Sequence, residues 1–315
     1  MRSLWLFVAL VTLRPAKSEI VGAFVLPHGG IALDPAHFPT ANATIRNEAW
    51  ALHEACVDVA SVIARLAPDV VLVSTPHGVA DLKSFVVYLN EKAAGSADTD
   101  NCACPPCCYD VQVAMDAELA TNLVSHLGVK NSNVSGLSAF GPPRENSEIF
   151  PLMWGEVIPL YFTLGATGLN KTTKVVVLSQ PSRRYNHSIE MIGELTKLGQ
   201  DMHVYLSSIR ERIAIIVSGD LAHTHLKSGP YGYSSAAEPF DKACGYWAST
   251  LIGSYLIDDA ARYANKALSC GYTGFVMLQG ILSSGGTWKP RLLANYHPSY
   301  YGMMVASFLP DNSIV

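Results

Sequence analysis

Charge is scarce in this 315-residue chain, with 15% of residues charged against 49% hydrophobic. That balance excludes a disordered segment and a charged coiled coil, and it supplies material for a sizeable core. There is no long basic run, and 22 Lys and Arg against 26 Asp and Glu leave a formal charge of −4. With a pI near 6.2, no electrostatic footprint for phosphate backbones or anionic lipid exists, so nucleic acid is not an expected partner. No stretch reaches the ~18 consecutive apolar residues of a membrane span. Internal repeats, low-complexity tracts and a Gly-x-Ser-x-Gly nucleophile motif are also missing, which leaves a serine hydrolase without support.

The first residues point to a compartment. Met1-Arg2 precede a short apolar run from Leu4 to Leu13, and Arg14-Pro15-Ala16-Lys17-Ser18 follow, with small residues three and one before a cut after Ser18. This is the pattern of a secretory signal peptide over residues 1–18, with the mature domain over residues 19–315. Four Asn-x-Ser/Thr sequons, at Asn42, Asn133, Asn170 and Asn186, would accept glycans in that pathway. Of seven cysteines, Cys102, Cys104, Cys107 and Cys108 crowd into Asn-Cys-Ala-Cys-Pro-Pro-Cys-Cys, too tight for all four to pair locally without strain. Disulfides are the expectation in an oxidising lumen. A metal knot is the alternative, although the spacing matches no common zinc motif. The odd count leaves at least one thiol free or paired with another chain.

Four short runs rich in β-branched residues, 20–26, 70–74, 174–179 and 213–218, are apolar throughout rather than alternating, as in central strands covered on both faces. Between the first two, Leu52, Cys56, Val59, Ile63 and Leu66 form one helical stripe closed by Pro68, a βαβ signature. Residues 116–127, ending at Gly128, and 240–256, with Cys244, Trp247 and Leu251 on one face, predict further helices. Residues 95–108 read as a surface loop. The expected fold is α/β: a single doubly wound, three-layer domain with a mostly parallel central sheet.

The informative pattern lies just after the strands. Pro27-His28-Gly29-Gly30 follows the first, Thr75-Pro76-His77-Gly78 the second, and Gly219-Asp220-Leu221-Ala222-His223-Thr224-His225 the fourth. In an open parallel sheet the carboxyl ends of the strands share one edge, so these histidines are expected to converge there. Pro and Gly suit tight turns that hold an imidazole with little freedom. Neutral imidazoles are the commonest protein donors to zinc, iron and copper. A two-histidine facial site needs a third donor, and Glu238 in Ala-Ala-Glu-Pro-Phe-Asp is the candidate. Its alternative role is to stabilise the following helix N-terminus, which Asp241 could equally do.

Pro-His-Gly-Gly, Ser-Thr-Pro-His-Gly, Ser-Gly-Asp-Leu-Ala-His (218–223), Gly-Pro-Tyr-Gly-Tyr (229–233) and Phe-Asp (240–241) resemble the superfamily of class III extradiol ring-cleavage dioxygenases. The resemblance is to the branch related to motility-mediator-like proteins, and it extends to residues 157–162 and to Ser269-Cys270-Gly271. It implies that His28, His77 and Glu238 hold Fe(II), and that His223 is the catalytic acid and base. It also implies a catechol-like substrate and dioxygen as partners. Two departures stand out. Glu238 sits one place early, with Pro239 at the usual ligand position, and Trp154 replaces a pocket histidine, for which His187 or His297 would compensate, while His225 would orient His223 or the substrate or face solvent. A secreted non-catalytic zinc or copper protein on the same fold is the alternative, with a zinc hydrolase using metal-bound water behind it.

Overall fold

The computed structural model describes residues 19–99, 101–130, 132–139 and 148–311. The expected signal peptide, residues 1–18, lies outside them. The strands are β1 (Glu19–Leu26), β2 (Val70–Thr75), β3 (Phe85–Tyr88), β4 (Lys92–Ala97), β5 (Tyr109–Ala114), β6 (Val134–Leu137), β7 (Ile149–Pro151), β8 (Lys174–Ser179), β9 (Arg212–Ser218), β10 (Trp288–Tyr296) and β11 (Met303–Pro310). The helices are α1 (Gly30–Leu33), α2 (Ala43–Leu66), α3 (Ala117–Val129), α4 (Trp154–Leu160), α5 (Arg184–His187), α6 (Ile192–Leu206), α7 (Ala237–Thr250), α8 (Ala261–Ala267) and α9 (Tyr272–Leu282).

Eight strands form one sheet in the order β10-β11-β1-β9-β2-β8-β3-β6. Its centre, β1-β9-β2-β8, is parallel. β11 joins β1 antiparallel, β10 joins β11 antiparallel, and β3 joins β8 antiparallel. β6 joins β3 parallel, so four of the seven pairings are parallel and the sheet is mixed, mostly but not purely parallel. The parallel centre is what aligns the carboxyl ends of β1, β2, β8 and β9 on one edge.

Both faces of that centre are buried, which explains the unbroken apolar runs. Val70 and Leu72 of β2, with Ile213, Ile215 and Val217 of β9, pack on the face covered by α3, α6, α7 and α9. Val71, Val73, Ala214 and Ile216 pack on the opposite face, against Leu52, Cys56, Val59 and Ile63 of α2 and against α4. Alternate residues thus serve two cores, giving the three-layer arrangement. α2 starts where Asn42 Oδ1 accepts from the Thr44 and Ile45 amides, and it stops where Ala67 turns left-handed at φ 44°.

Two expectations are corrected. The helix read over 240–256 ends at Thr250, because Leu251 turns left-handed at φ 57°, and Tyr255–Ala260 resumes as a separate π-helical turn. The stretch 95–108 is a loop only in part: Gly95 to Ala97 belong to β4, in a second sheet of order β5-β4-β7. All four crowded cysteines pair locally, as Cys102–Cys107 and Cys104–Cys108. The staggered pairing brings their Cα atoms to 5.7 and 4.6 Å, distances a disulfide spans. Cys56, Cys244 and Cys270 are free and buried. Among the described residues no helix is long and apolar enough to cross a membrane.

Candidate metal centre

The site begins with a hydroxyl at the sheet edge. β1 and β9 pair with Leu26 opposite Ser218, so the turn after β1 places His28 beside the end of β9. The Ser218 hydroxyl donates to the Gly155 carbonyl at 2.5 Å and lies 2.8 Å from His28 Nδ1. A hydroxyl has one proton, so with that proton on Gly155 its oxygen accepts from His28 Nδ1–H. This sets the tautomer and leaves the Nε2 lone pair facing Cys270 Sγ at 3.3 Å and Asp220 Oδ2 at 3.3 Å. Burial holds His28 well below the ordinary imidazole range, and His77, His223 and Arg184 push the same way. A neutral Nε2 lone pair facing a carboxylate oxygen across 3.3 Å is an arrangement that a cation between them would relieve.

His77 follows β2. Its pKa is lowered to about 3 by burial, with Arg184 and His223 adding to the effect. The ring meets His28 edge-on at 4.8 Å between centroids and stacks on Trp154 at 4.9 Å. Arg184 is buried and donates to the Pro76 carbonyl just ahead of His77, which ties that turn to the end of β8.

Cys270 comes from the turn before α9. Gly219 and Gly271 make its approach possible: a Cβ on Gly219 would collide with Gly271 Cα, so a side chain there would force the two backbones apart. The Asp220 amide donates to Cys270 Sγ at 3.3 Å, while the Asp220 side chain accepts from the His28 amide at 3.1 Å. Burial, with the Asp220 charge, pushes the Cys270 thiol upward. The thiol therefore stays protonated until a cation compensates its charge. Donor atoms of His28, His77 and Cys270 all lie within 4.8 Å of one another, and those of Asp220, His223 and Cys270 do likewise. Two imidazoles with free lone pairs and a thiol at this spacing fit a metal ion.

His223 completes the edge. It shares a cleft of about 240 Å³ with His28, His77, Asp220 and Trp154. The ring stacks on Tyr231 at 5.9 Å and meets Tyr301 edge-on at 6.2 Å. Burial lowers its pKa to about 4, with Arg184 and His225 contributing, so at neutral pH the imidazole accepts a proton rather than giving one.

The other candidates lie elsewhere. Glu238, expected as the third ligand, is in the first turn of α7 with its side chain 73% exposed, and it pairs with His297 rather than with His28 or His77. Helix phase turns it to solvent, and Cys270 occupies the place beside His28. His225 is bound to Asp241 at 2.7 Å, and neither His225 nor His297 lines the cleft. His187 is exposed at the end of α5. Trp154 does line the cleft. Sequence reasoning passed over Cys270, Asp220 and Arg184; the first two stood in quoted motifs, but nothing in their spacing marked them as donors.

The chain matches the family model of the catalytic LigB subunit of aromatic ring-opening dioxygenase over residues 22–306. It is 26% identical over 266 residues to Protein CA_C1420 of Clostridium acetobutylicum, a match covering 81% of this chain and 52% of that protein. The chain thus spans about half the length of that relative. The crystal structure of uncharacterized protein JW3007 from Escherichia coli K12 shares the fold, with a TM-score of 0.51 at 14% identity, covering 91% of this chain and 99% of that one. The family match runs from β1 into β11 and takes in the strand ends that supply His28, His77 and His223 and the turn that supplies Cys270, so this chain belongs to the LigB family of catalytic subunits of aromatic ring-opening dioxygenases.

Proposed function

We propose that the chain is a non-haem, metal-dependent oxidoreductase that opens catechol-type aromatic rings with dioxygen, Fe(II) being the metal. The observation that carries this is the convergence of neutral His28 and His77 with Cys270, beside His223, in one cleft. When bound, a redox metal supplies positions where an aromatic diol and dioxygen meet, and it withdraws charge from them. The protein's part is positional and protonic. Ser218 holds the His28 lone pair toward the centre, and Trp154 braces the His77 ring. Tyr231 and Tyr301 flank His223 with aromatic faces suited to a planar ring. Neutral His223 accepts a hydroxyl proton of the substrate and returns it to the developing product oxygen, a role worth about 10²- to 10⁴-fold.

A second reading rests on Cys270. Soft thiolate donors favour zinc or copper, so a non-catalytic metal protein is the competing assignment. Anaerobic purification with metal analysis, then oxygen uptake against a panel of catechols for the parent and His223→Ala, separates them. Bound iron with uptake lost in the variant supports the oxidoreductase. Tight zinc or copper with no uptake in either replaces it. The pattern of residues 1–18 and the four sequons support secretion. Asn42, Asn133 and Asn186 are exposed and Asn170 is half-buried, so a glycosidase-sensitive mass increase on expression in a eukaryotic secretory host is expected.

A further inference from the structure

A second set of ligand-type side chains stands outside this centre. His225 on the loop after β9, Glu238 in the first turn of α7 and His297 on the β10–β11 connection each offer a donor atom, all within 4.8 Å of one another. The His225 and His297 rings lie face to face, 3.9 Å apart and 4° from parallel, and Glu238 Oε2 is 3.4 Å from His297 Nε2. Buried Asp241 accepts from His225 Nε2 at 2.7 Å and from the Ala222 amide at 2.9 Å. The His225 ring is thereby oriented and its tautomer chosen, with Nδ1 keeping its lone pair. A carboxylate behind an imidazole is the outer-shell arrangement that positions metal-bound histidines.

A surface ion pair alone is a weak reason for three segments to meet here, being worth about 0–1 kcal/mol. We propose that His225, Glu238 and His297 form a second metal site, for a divalent ion of the zinc class, beside the loop that carries His223. Two imidazoles and one carboxylate, with a water in the remaining position, are a zinc donor set. His225 is the fixed ligand. His297 and Glu238, both partly free in solvent, swing to close on the ion, the His297 ring tilting out of the stack.

The test is zinc stoichiometry on the full chain by titration calorimetry and metal analysis, repeated with Co(II) for its ligand-field spectrum. The parent is expected to bind two equivalents. Glu238→Gln and His297→Ala, both surface changes, should each retain one and weaken the other by about 100-fold or more, beyond the 10- to 100-fold typical of outer-shell losses. His28→Ala should lose the other equivalent and keep the one that depends on Glu238 and His297, which also shows that the variant is folded. Zinc uptake by the parent that is indifferent to both Glu238 and His297, whatever happens at His28, overturns the proposal. Because the readout is binding, its failure is separate from any failure of the ring-opening assignment.

Discussion

Replacing Ser218 by alanine removes one oxygen and, with it, the tautomer of His28. In the parent that oxygen accepts from His28 Nδ1 at 2.8 Å and donates to the Gly155 carbonyl at 2.5 Å, with His28 3% and Ser218 1% exposed. The variant leaves the buried Gly155 carbonyl and the buried His28 Nδ1 without their partner, each costing about 1–3 kcal/mol. The metal-free protein should therefore lose about 2–6 kcal/mol on urea unfolding. With Nδ1 no longer held as donor, the proton redistributes to Nε2, where it competes with the cation. Metal affinity should fall about 10- to 100-fold, the usual cost of losing an outer-shell partner. Titration calorimetry with Fe(II) under anaerobic conditions, beside urea curves, reads both quantities. A folded Ser218→Ala protein that binds metal as tightly as the parent would show that this hydroxyl does not orient His28, and the derivation of the donor set would fail with it.

Cys270→Asp should exchange a soft donor for a hard one, shifting preference from zinc and copper toward iron and removing any sulfur-to-Co(II) charge-transfer band; retention of that band would mean the thiol is not a ligand. Acid should destabilise the metal-free protein. His77 and His223 titrate at about 3 and about 4 when folded but near 6.5 when unfolded. The unfolded chain thus binds the extra protons, and stability is level above pH ~6.5 and falls below it, by about 2 kcal/mol per group at pH 5. Equal urea midpoints at pH 7.5 and 5 would contradict this, and His77→Ala/His223→Ala should flatten the slope. Trp247 is fully buried and its indole donates to Gln279 at 2.6 Å, so Trp247→Ala should cost about 3–5 kcal/mol in chemical denaturation; a loss under about 1 kcal/mol would refute its place in the core.

The central strands were legible because burial on both faces removes alternation, a local signal. β10 and β11 were not, since β11 is fixed by antiparallel pairing with β1, far away in the chain, and β10 in turn by pairing with β11. The apolar periodicity of α7 ran past Leu251 because residues on both sides of the break bury toward the same core, and a left-handed leucine leaves no mark in composition. His28, His77 and His223 stood out because each sits in or beside a turn that follows a strand. Cys270 carries no periodic or turn signal of its own. Glu238 misled because which side of a helix its first turn faces is decided by packing, not by the motif.

His28 and Cys270 touch across 242 residues of sequence, and this has a bearing on how the molecule is made. During synthesis from the N-terminus, β1 and its histidine emerge long before the turn that carries the thiol. No cation could be gripped by the complete donor set until that late segment had docked against the sheet edge. On the ring-opening assignment proposed above, metal loading would be a closing event in maturation, and a chain truncated ahead of Cys270 would carry the histidines without the thiol.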